Sequence, residues 1–360
     1  MKVNTDFIGN NQAQGAIATM LLNSKKLDVG RLRPFEYDGR SYVSIYKGHG
    51  DIKDEKFYDV IQVNANSTLR REEWMQLDKA LLDISRSRLG GVEDLVSKGL
   101  TYNLGNAMAT TVLEYHDISD SMEAELSMDG VTRGNADRPE YGSTFLPIPI
   151  IHVDFDINAR ALAASRNMGN PLDTTMVEQA GRKVKEKLEA MLFTDTSYAA
   201  FGGTIYSYLN APKRNTVTSS TVWDDSATGA QILSDVQKMK KASIAAKHYG
   251  PWQLYIPTEY ETRIDEDYST LYPGVTIRDR IMKLNNIMGI KIVDTLTDGK
   301  VVMVQMTSDV VRLVNGMAMQ TVQWKTEGDM VIKFKVMAIQ VPQIRNDHDG
   351  NSGLTVLTLT

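Results

Sequence analysis

"PLDTTMVEQAGRKVKEKLEAMLF", residues 171–193, is the stretch that decides the fold. Val177, Ala180, Val184, Leu188, Met191 and Leu192 return every three or four residues and draw one apolar stripe, with Arg182, Lys183, Lys185 and Glu186 placed opposite. Thr175 and Glu178 have the spacing of a capping box, which fixes the expected start. At 1.5 Å per residue this helix is roughly 27 Å long. It is long enough to act as the spine on which the rest of the chain is hung.

On its amino-terminal side the chain reads as β. Residues 109–128 and 140–157 are strand-like, with alternation in "EAELSM" and β-branched density in "PIPIIHVDFDI". Between them lies a polar, glycine-punctuated tip, "SMDGVTRGNADRPEYGSTF" (127–145), so the pair is expected to form an extended hairpin. Pro139, Pro147 and Pro149 each remove a ladder donor and confine these strands to an edge or a ribbon. Further upstream, Leu69, Trp74, Leu77, Leu81, Ile84 and Leu89 recur at helical spacing as far as Gly90-Gly91. Residues 1–65 carry only short strand-like pieces, "SYVSIY" and "YDVIQV", and read as an arm.

On the carboxyl-terminal side helices and strands alternate. A helix is expected over 227–247, then the strand "WQLYIP", short helices around 259–267 and 277–284, and the strands "IKIVD" and "VVMVQM". The chain ends in β, in "MQTVQWKT", "MVIKFKVMAIQVPQI" and "LTVLTL". In the longest of these Ile332, Phe334, Val336 and Ala338 share one face, while the other changes from Lys333 and Lys335 to Met337, Ile339 and Val341.

The bulk numbers exclude more than they assign. Lys+Arg 40 against Asp+Glu 45 gives a net charge of −5, so contact with nucleic acid or anionic lipid has to be local. With no cysteine there is no disulfide framework, thiolate zinc site or thiol nucleophile. The apolar patch at 16–22 is too short for a membrane span or a secretory core, so the expected place of synthesis and residence is the cytoplasm, with no membrane partner.

Chemistry is sparse. His49, His116, His152, His248 and His348 show no metal-ligand spacing, and "DHDGNS" (347–352) lacks the spacing and terminal Glu of a calcium loop, so neither a metal nor a cofactor is expected. Glu259, Glu261, Asp265, Glu266 and Asp267 could supply a carboxylate pair, but a solvated helix face accounts for them more simply. A remote alternative uses Glu261, Asp265 and Asp267 in a soluble α/β hydrolase. Phosphate-loop, dinucleotide and nucleophile-elbow motifs are missing. The basic features are "APKRN" (211–215) and Lys238, Lys240, Lys241 and Lys247, which read as a soluble face. No catalytic residue is expected.

Four phrases carry a resemblance: residues 147–193, "YGPWQLYIPTEYETRIDEDY", "VQMTSDVVRLVNGMAMQTVQW" and "FKVMAIQVPQI". As an ordered set they resemble the shell-protein family that unites encapsulins with the major capsid proteins of tailed bacteriophages, over roughly residues 65–360. The resemblance implies an α+β chain of the Hong Kong 97 type. It divides the chain into an N-terminal arm (1–65), an N-terminal helix region (66–108), an extended hairpin loop (109–158), a peripheral domain with the spine helix (159–219), an axial domain (220–317) and return strands of the peripheral domain (318–360). It implies a structural role: many copies forming pentamers and hexamers of an icosahedral shell, assembled in the host cytoplasm and ending in the virion. Packaged DNA is then a weakly held partner, with scaffold, portal or decoration proteins as further ones. Met128, Asp129, Arg133, Asp137, Arg138 and Tyr141, at the hairpin tip, become the expected inter-subunit contacts. The N-terminal extension favours a capsid over the alternative, an encapsulin shell around a protein cargo.

Overall fold

A computed structural model of the chain describes residues 34–37, 40–46, 58–62, 73–74, 76–77, 79–80, 90–105, 107–118, 128, 141–167, 174–224, 226–269, 274–324, 331–347 and 350–360. Within the region read as an arm, β1 (Pro34–Tyr37), β2 (Arg40–Tyr46) and β3 (Tyr58–Gln62) form a three-stranded antiparallel sheet. Helical residues around Trp74 and Leu77 follow. Next come α1 (Gly90–Ser97), β4 (Thr101–Asn103), the hairpin strands β5 (Val112–Ile118) and β6 (Tyr141–Pro147), β7 (Ile151–Asn158), α2 (Ala159–Asn167) and the spine α3 (Thr175–Phe193). A short hairpin, β8 (Tyr198–Ala200) and β9 (Gly203–Ile205), leads to β10 (Asn215–Ser219), α4 (Gly229–Ala245) and β11 (Trp252–Pro257). The chain closes with α5 (Glu261–Ile264), α6 (Ile277–Met282), β12 (Ile287–Val293), β13 (Lys300–Gln305), β14 (Val311–Trp324), β15 (Val331–Ile344) and β16 (Leu354–Leu359).

Two sheets organise the molecule. One is four-stranded, in the order β4-β14-β15-β7, and the other five-stranded, in the order β10-β16-β13-β11-β12. A shared core joins them: Ile332, Phe334, Val336 and Ala338 from β15 meet Val184, Leu188 and Leu192 of α3, together with Tyr255, Val302, Val304, Leu354 and Val356 from the five-stranded sheet. The far face of that sheet packs Leu254, Ile256, Val301, Met303 and Leu357 under Ile232, Val236 and Met239 of α4. A third, smaller core lies on the other face of β15, where Ile339 and Val341 meet Leu146, Ile148 and Ile205. The strand alternation of β15 thus has a physical reading: its carboxyl-terminal half is covered on both faces, while Lys333 and Lys335 stand opposite Asp156 and Asp154 of β7.

Several expectations need correction. The α3 stripe is as expected, but its N-cap is Thr174, whose hydroxyl donates to Glu178 Oε1 at 2.9 Å without capping a backbone N–H. Lys185, placed on the polar face by sequence, is 1% exposed. At about 100° per residue it lies between Leu192 and Phe193, both buried, and the stripe is wide enough to take it inside. Gly90 and Gly91 are the first residues of α1, while 81–89, where the upstream helix was expected to finish, lie outside the described residues, and a Cβ on Gly91 would sit 2.4 Å from Phe193 Cε2 of the spine. Residues 151–158 do not continue the hairpin, because β7 pairs only with β15 at the edge of the four-stranded sheet. The helix expected over 227–247 spans Gly229–Ala245, started by a capping box between Thr228 and Gln231.

The last strand is the largest difference. The boundary at 317 falls inside β14, and β16 does not return with β14 and β15 but stands between β10 and β13. Leu354 and Val356 face the shared core and Leu357 the helix-covered one, so this strand needs an interior place with cover on both sides.

Candidate assembly surface

The hairpin is a two-stranded ribbon in continuous register from Val112↔Pro147 to Ile118↔Tyr141. Its foot is anchored in the third core through Leu146, with Leu113 and Tyr115 packed against the edge of that core. Among the described residues no third strand joins it away from the foot, so each of its strands offers a backbone edge there. His116 and Ser143 lie across the ribbon from one another, with Nδ1 and Oγ 3.2 Å apart.

The small β8–β9 hairpin is laid on this foot. It comes so close that a Cβ on Gly203 would stand 2.2 Å from the Phe145 carbonyl oxygen, a contact that only glycine permits. The result is a group of large apolar side chains left in water: Phe145, Ile150, Tyr198, Phe201 and Tyr206, of which Phe201 is 75% exposed at a turn with φ +51°. A second exposed group, Ile244, Tyr249, Met282 and Met288, gathers where α4 and α6 meet the free edge of β12. Lys240 Nζ on the Asn285 carbonyl and Asn286 Nδ2 on the Tyr249 carbonyl hold these segments together. Apolar surface of this kind is costly unless another chain covers it.

Of the six tip residues expected to make contacts, Met128 is fully exposed and Tyr141 stands opposite Ile118 at the far end of the ribbon. Asp129, Arg133, Asp137 and Arg138 lie outside the described residues, as does most of the helix expected over 69–89. The sequence reading missed the Phe145–Phe201 group. Its only sequence signal was the run of aromatics and glycines in "YAAFGGTIYSY".

Behind these surfaces a polar junction ties α1 to the five-stranded sheet. The buried Asp94 carboxylate accepts from Tyr255 Oη at 3.0 Å and pairs with Lys291 Nζ at 2.7 Å, and Lys98 Nζ donates to Gln253 Oε1 at 2.9 Å. Burial pushes the Tyr255 and Tyr208 hydroxyls far above the usual phenol range and raises the Glu189 carboxyl, which the Gly91 and Gly90 N–H groups partly offset. Lys185 Nζ finds no hydrogen-bond partner among the described residues, and burial pulls it down to about 8 against an attraction from Glu93.

Three of the five carboxylates considered for catalysis have structural partners. Asp265 accepts from Arg278 Nε at 2.6 Å, Glu266 pairs with Arg263, and Asp267 Oδ1 accepts from the Gly274 N–H at 3.1 Å. Among the described residues no group of three or more His, Asp or Glu side chains is placed to hold a metal ion. Among the basic residues, Lys238 pairs with Asp235 at 2.8 Å and Lys240 lies over the Trp252 ring. No helix among the described residues is long and apolar enough to cross a membrane.

No curated protein matches the sequence. Among solved structures, the chain is similar to the virus-like particle from Pyrococcus furiosus, with a TM-score of 0.57 and 19% identity, covering 79% of this chain and 99% of that one. It is also similar to the capsid of Myoviridae phage XM1, with a TM-score of 0.59 and 8% identity over 75% and 92% of the two chains. The capsid of the empty GTA particle matches with a TM-score of 0.53 and 9% identity over 74% and 90%. At these identities the likeness is one of fold, and the fold is the α+β fold of the Hong Kong 97-type capsid proteins. At the level of sequence, residues 64–356 match a single family model, and the chain belongs to that family, the family of unknown function DUF6260.

Proposed function

We propose that this chain is a structural major capsid protein, many copies of which close into an icosahedral shell around a viral DNA genome. The observation that carries the reading is the hairpin: an uncovered ribbon, rooted in its own small core, beside a group of exposed aromatics. Such a device has no use in a lone subunit. In a shell it lies over the next copy, buries Phe145, Tyr198 and Phe201, and satisfies the ribbon's open edge. The fold shared with solved shells supports the same reading.

On this reading the spine and the four-stranded sheet make the peripheral part of the subunit. The five-stranded sheet with α4 and α6 makes the axial part, whose Tyr249 and Met288 group meets its counterparts around the symmetry axes. Packaged DNA is held by weak local contacts, in keeping with the net charge of −5. Scaffold, portal and decoration proteins are the further partners, the host cytoplasm is the place of assembly and the virion the destination. The chain has no catalytic task.

Negative-stain microscopy and size-exclusion chromatography of the protein expressed alone and with its viral neighbours test this. Closed polyhedra, tubes or sheets are the expected products. A monomer under every condition would sink the proposal. The likeness to the Pyrococcus particle, which extends over 99% of that chain, keeps an encapsulin-type compartment as the second reading. Particles that carry a defined protein cargo and no nucleic acid would decide for it.

A further inference from the structure

On the face of the four-stranded sheet that holds the third core, two arginines stand side by side with no acid to neutralise them. Arg312 of β14 donates from Nε to Gln343 Oε1 at 2.5 Å, and its guanidinium lies over the Tyr102 ring with Cζ 4.4 Å from the centroid. Both contacts fix the plane of the fork and leave its two Nη groups directed elsewhere. Arg345 follows β15 directly, its backbone N–H held by the Val310 carbonyl at 2.7 Å; burial first and the Arg345 charge second disfavour the charged form of Arg312, with Tyr102 and Tyr115 acting against them. Among the described residues no carboxylate is within ion-pair distance of either guanidinium.

The surplus consists entirely of donors. Gln343 is fully buried, and its Nε2 has no partner, although the same amide's oxygen is committed to Arg312. Arg345 Nε is likewise buried and without a partner. An amide flip cannot relieve Gln343, because Arg312 Nε needs the acceptor where it is. The two orphaned donors are sealed from solvent, but the two half-buried guanidinium groups beside them form a site that lacks an anion.

We propose that the half-buried Arg312 and Arg345 guanidinium groups, the former held in place by the buried Gln343 amide, receive a side-chain carboxylate from a second copy of this chain; this rests on the shell reading above. Two observations favour a carboxylate of the chain over a phosphate of packaged DNA. The site is half-buried between tyrosines, whereas a phosphate backbone is tracked by a row of exposed cations. Tyr115 also belongs to the foot of the hairpin, so the site is continuous with the surface assigned to subunit contact. In the free subunit the two arginines repel each other, and the arriving carboxylate removes that repulsion, so the site is completed only on assembly.

The test uses Arg312→Lys, which keeps the charge and supplies an amine. Isotopically heavy and light subunits of this variant are co-assembled in equal amounts, and the particles are treated with a water-soluble carbodiimide. Where a carboxylate touches the new amine an amide forms, and the water lost is taken up by the carbodiimide as a urea. The expected result is a crosslink from position 312 to an Asp or Glu peptide, with heavy and light partners mixed in statistical proportion. Only unmixed pairs would show an acid of the same chain in the site and overturn the proposal, as would well-formed particles with no crosslink. A second variant, Arg312→Gln with Arg345→Gln, is expected to fold and to lose particle yield. If it assembles normally and loses only retained nucleic acid, the ligand is phosphate and the proposal falls. A wild-type chain that never forms particles removes the shell reading first, and this inference with it.

Discussion

The Asp94 carboxylate lies 2.7 Å from Lys291 Nζ, and this pair, with Tyr255 beside it, is what binds the short helix α1 to the edge of the five-stranded sheet. The two partners are unlike: the Asp94 side chain is 6% exposed and that of Lys291 is 39% exposed. Removing Lys291 therefore leaves Asp94 with the Tyr255 hydroxyl, while removing Asp94 leaves a buried phenol with nothing to donate to. Lys291→Ala is expected to cost about 3–5 kcal/mol and Asp94→Ala about 1–3 kcal/mol, because a buried carboxylate left without its counterion costs more than a buried phenol left without an acceptor while the half-exposed ammonium returns to water. Urea denaturation of both single variants and the double variant measures this. Equal losses for the two singles would contradict the assignment.

Lys185 gives a prediction with a pH window. Its amine is held at about 8 in the folded chain against an ordinary 10.5, so between those values the unfolded chain binds a proton that the folded chain does not. Stability contributed by this group therefore rises with pH from about 8 to 10.5 and is level below 8. Lys185→Met removes the buried ammonium and is expected to stabilise the neutral-pH protein by about 1–3 kcal/mol while abolishing that slope. The measurement is the difference in denaturation midpoint between wild type and variant from pH 7 to 10. A difference that does not shrink with rising pH would show that Lys185 is paired after all.

Gly203 marks where the β8–β9 hairpin is pressed on the hairpin foot. A methyl group there meets backbone, 2.2 Å from the Phe145 oxygen and 2.7 Å from its carbon, so no side-chain rotation can relieve it. Gly203→Ala is expected to push the two hairpins apart at a cost of about 1–3 kcal/mol and to lower the yield of closed particles. Gly99→Ala is the control for backbone conformation: unlike Gly203 it has a positive φ, at +70°, but nothing lies within 4 Å of the added carbon. Thermal melts and particle counts of the two variants separate crowding from strain.

How far the sequence could be read follows from how local each signal is. The stripe of α3 and the alternation of Ile332, Phe334, Val336 and Ala338 are local, and burial follows them at every position but Met191, which is half-buried. Lys185 escaped because residue type was allowed to overrule angular position on the helix. The place of β16 was illegible for another reason: "LTVLTL" says that both faces are covered but not by which sheet. Gly90-Gly91 reads equally as a stop or as a start, and only the approach of Phe193 decides. The pairing of Arg312 with Gln343 requires the β14–β15 register, which brings together residues 31 apart in the chain. The assembly surface was legible as a hairpin from its tip, and the Phe145 and Phe201 group was not, because it forms only when β8–β9 packs on β6.

The role of the hairpin itself can be isolated from the fold beneath it. The ribbon is in register as far as Ile118↔Tyr141, so residues 119–140 can be replaced by Asn-Gly, which closes two antiparallel strands with a two-residue turn. The foot, with Leu113, Tyr115 and Leu146 in and around the third core, is left whole. The shortened chain is expected to melt within a few degrees of wild type, since the three cores are built by described residues that all lie outside the excised segment. It is expected to form no closed particles, because the reach to the next subunit is gone. Loss of folding would mean that the ribbon beyond Ile118 stabilises its own subunit. Shells of normal size and yield would show that Phe145, Tyr198 and Phe201 at the foot, rather than the tip, make the contact that closes the particle.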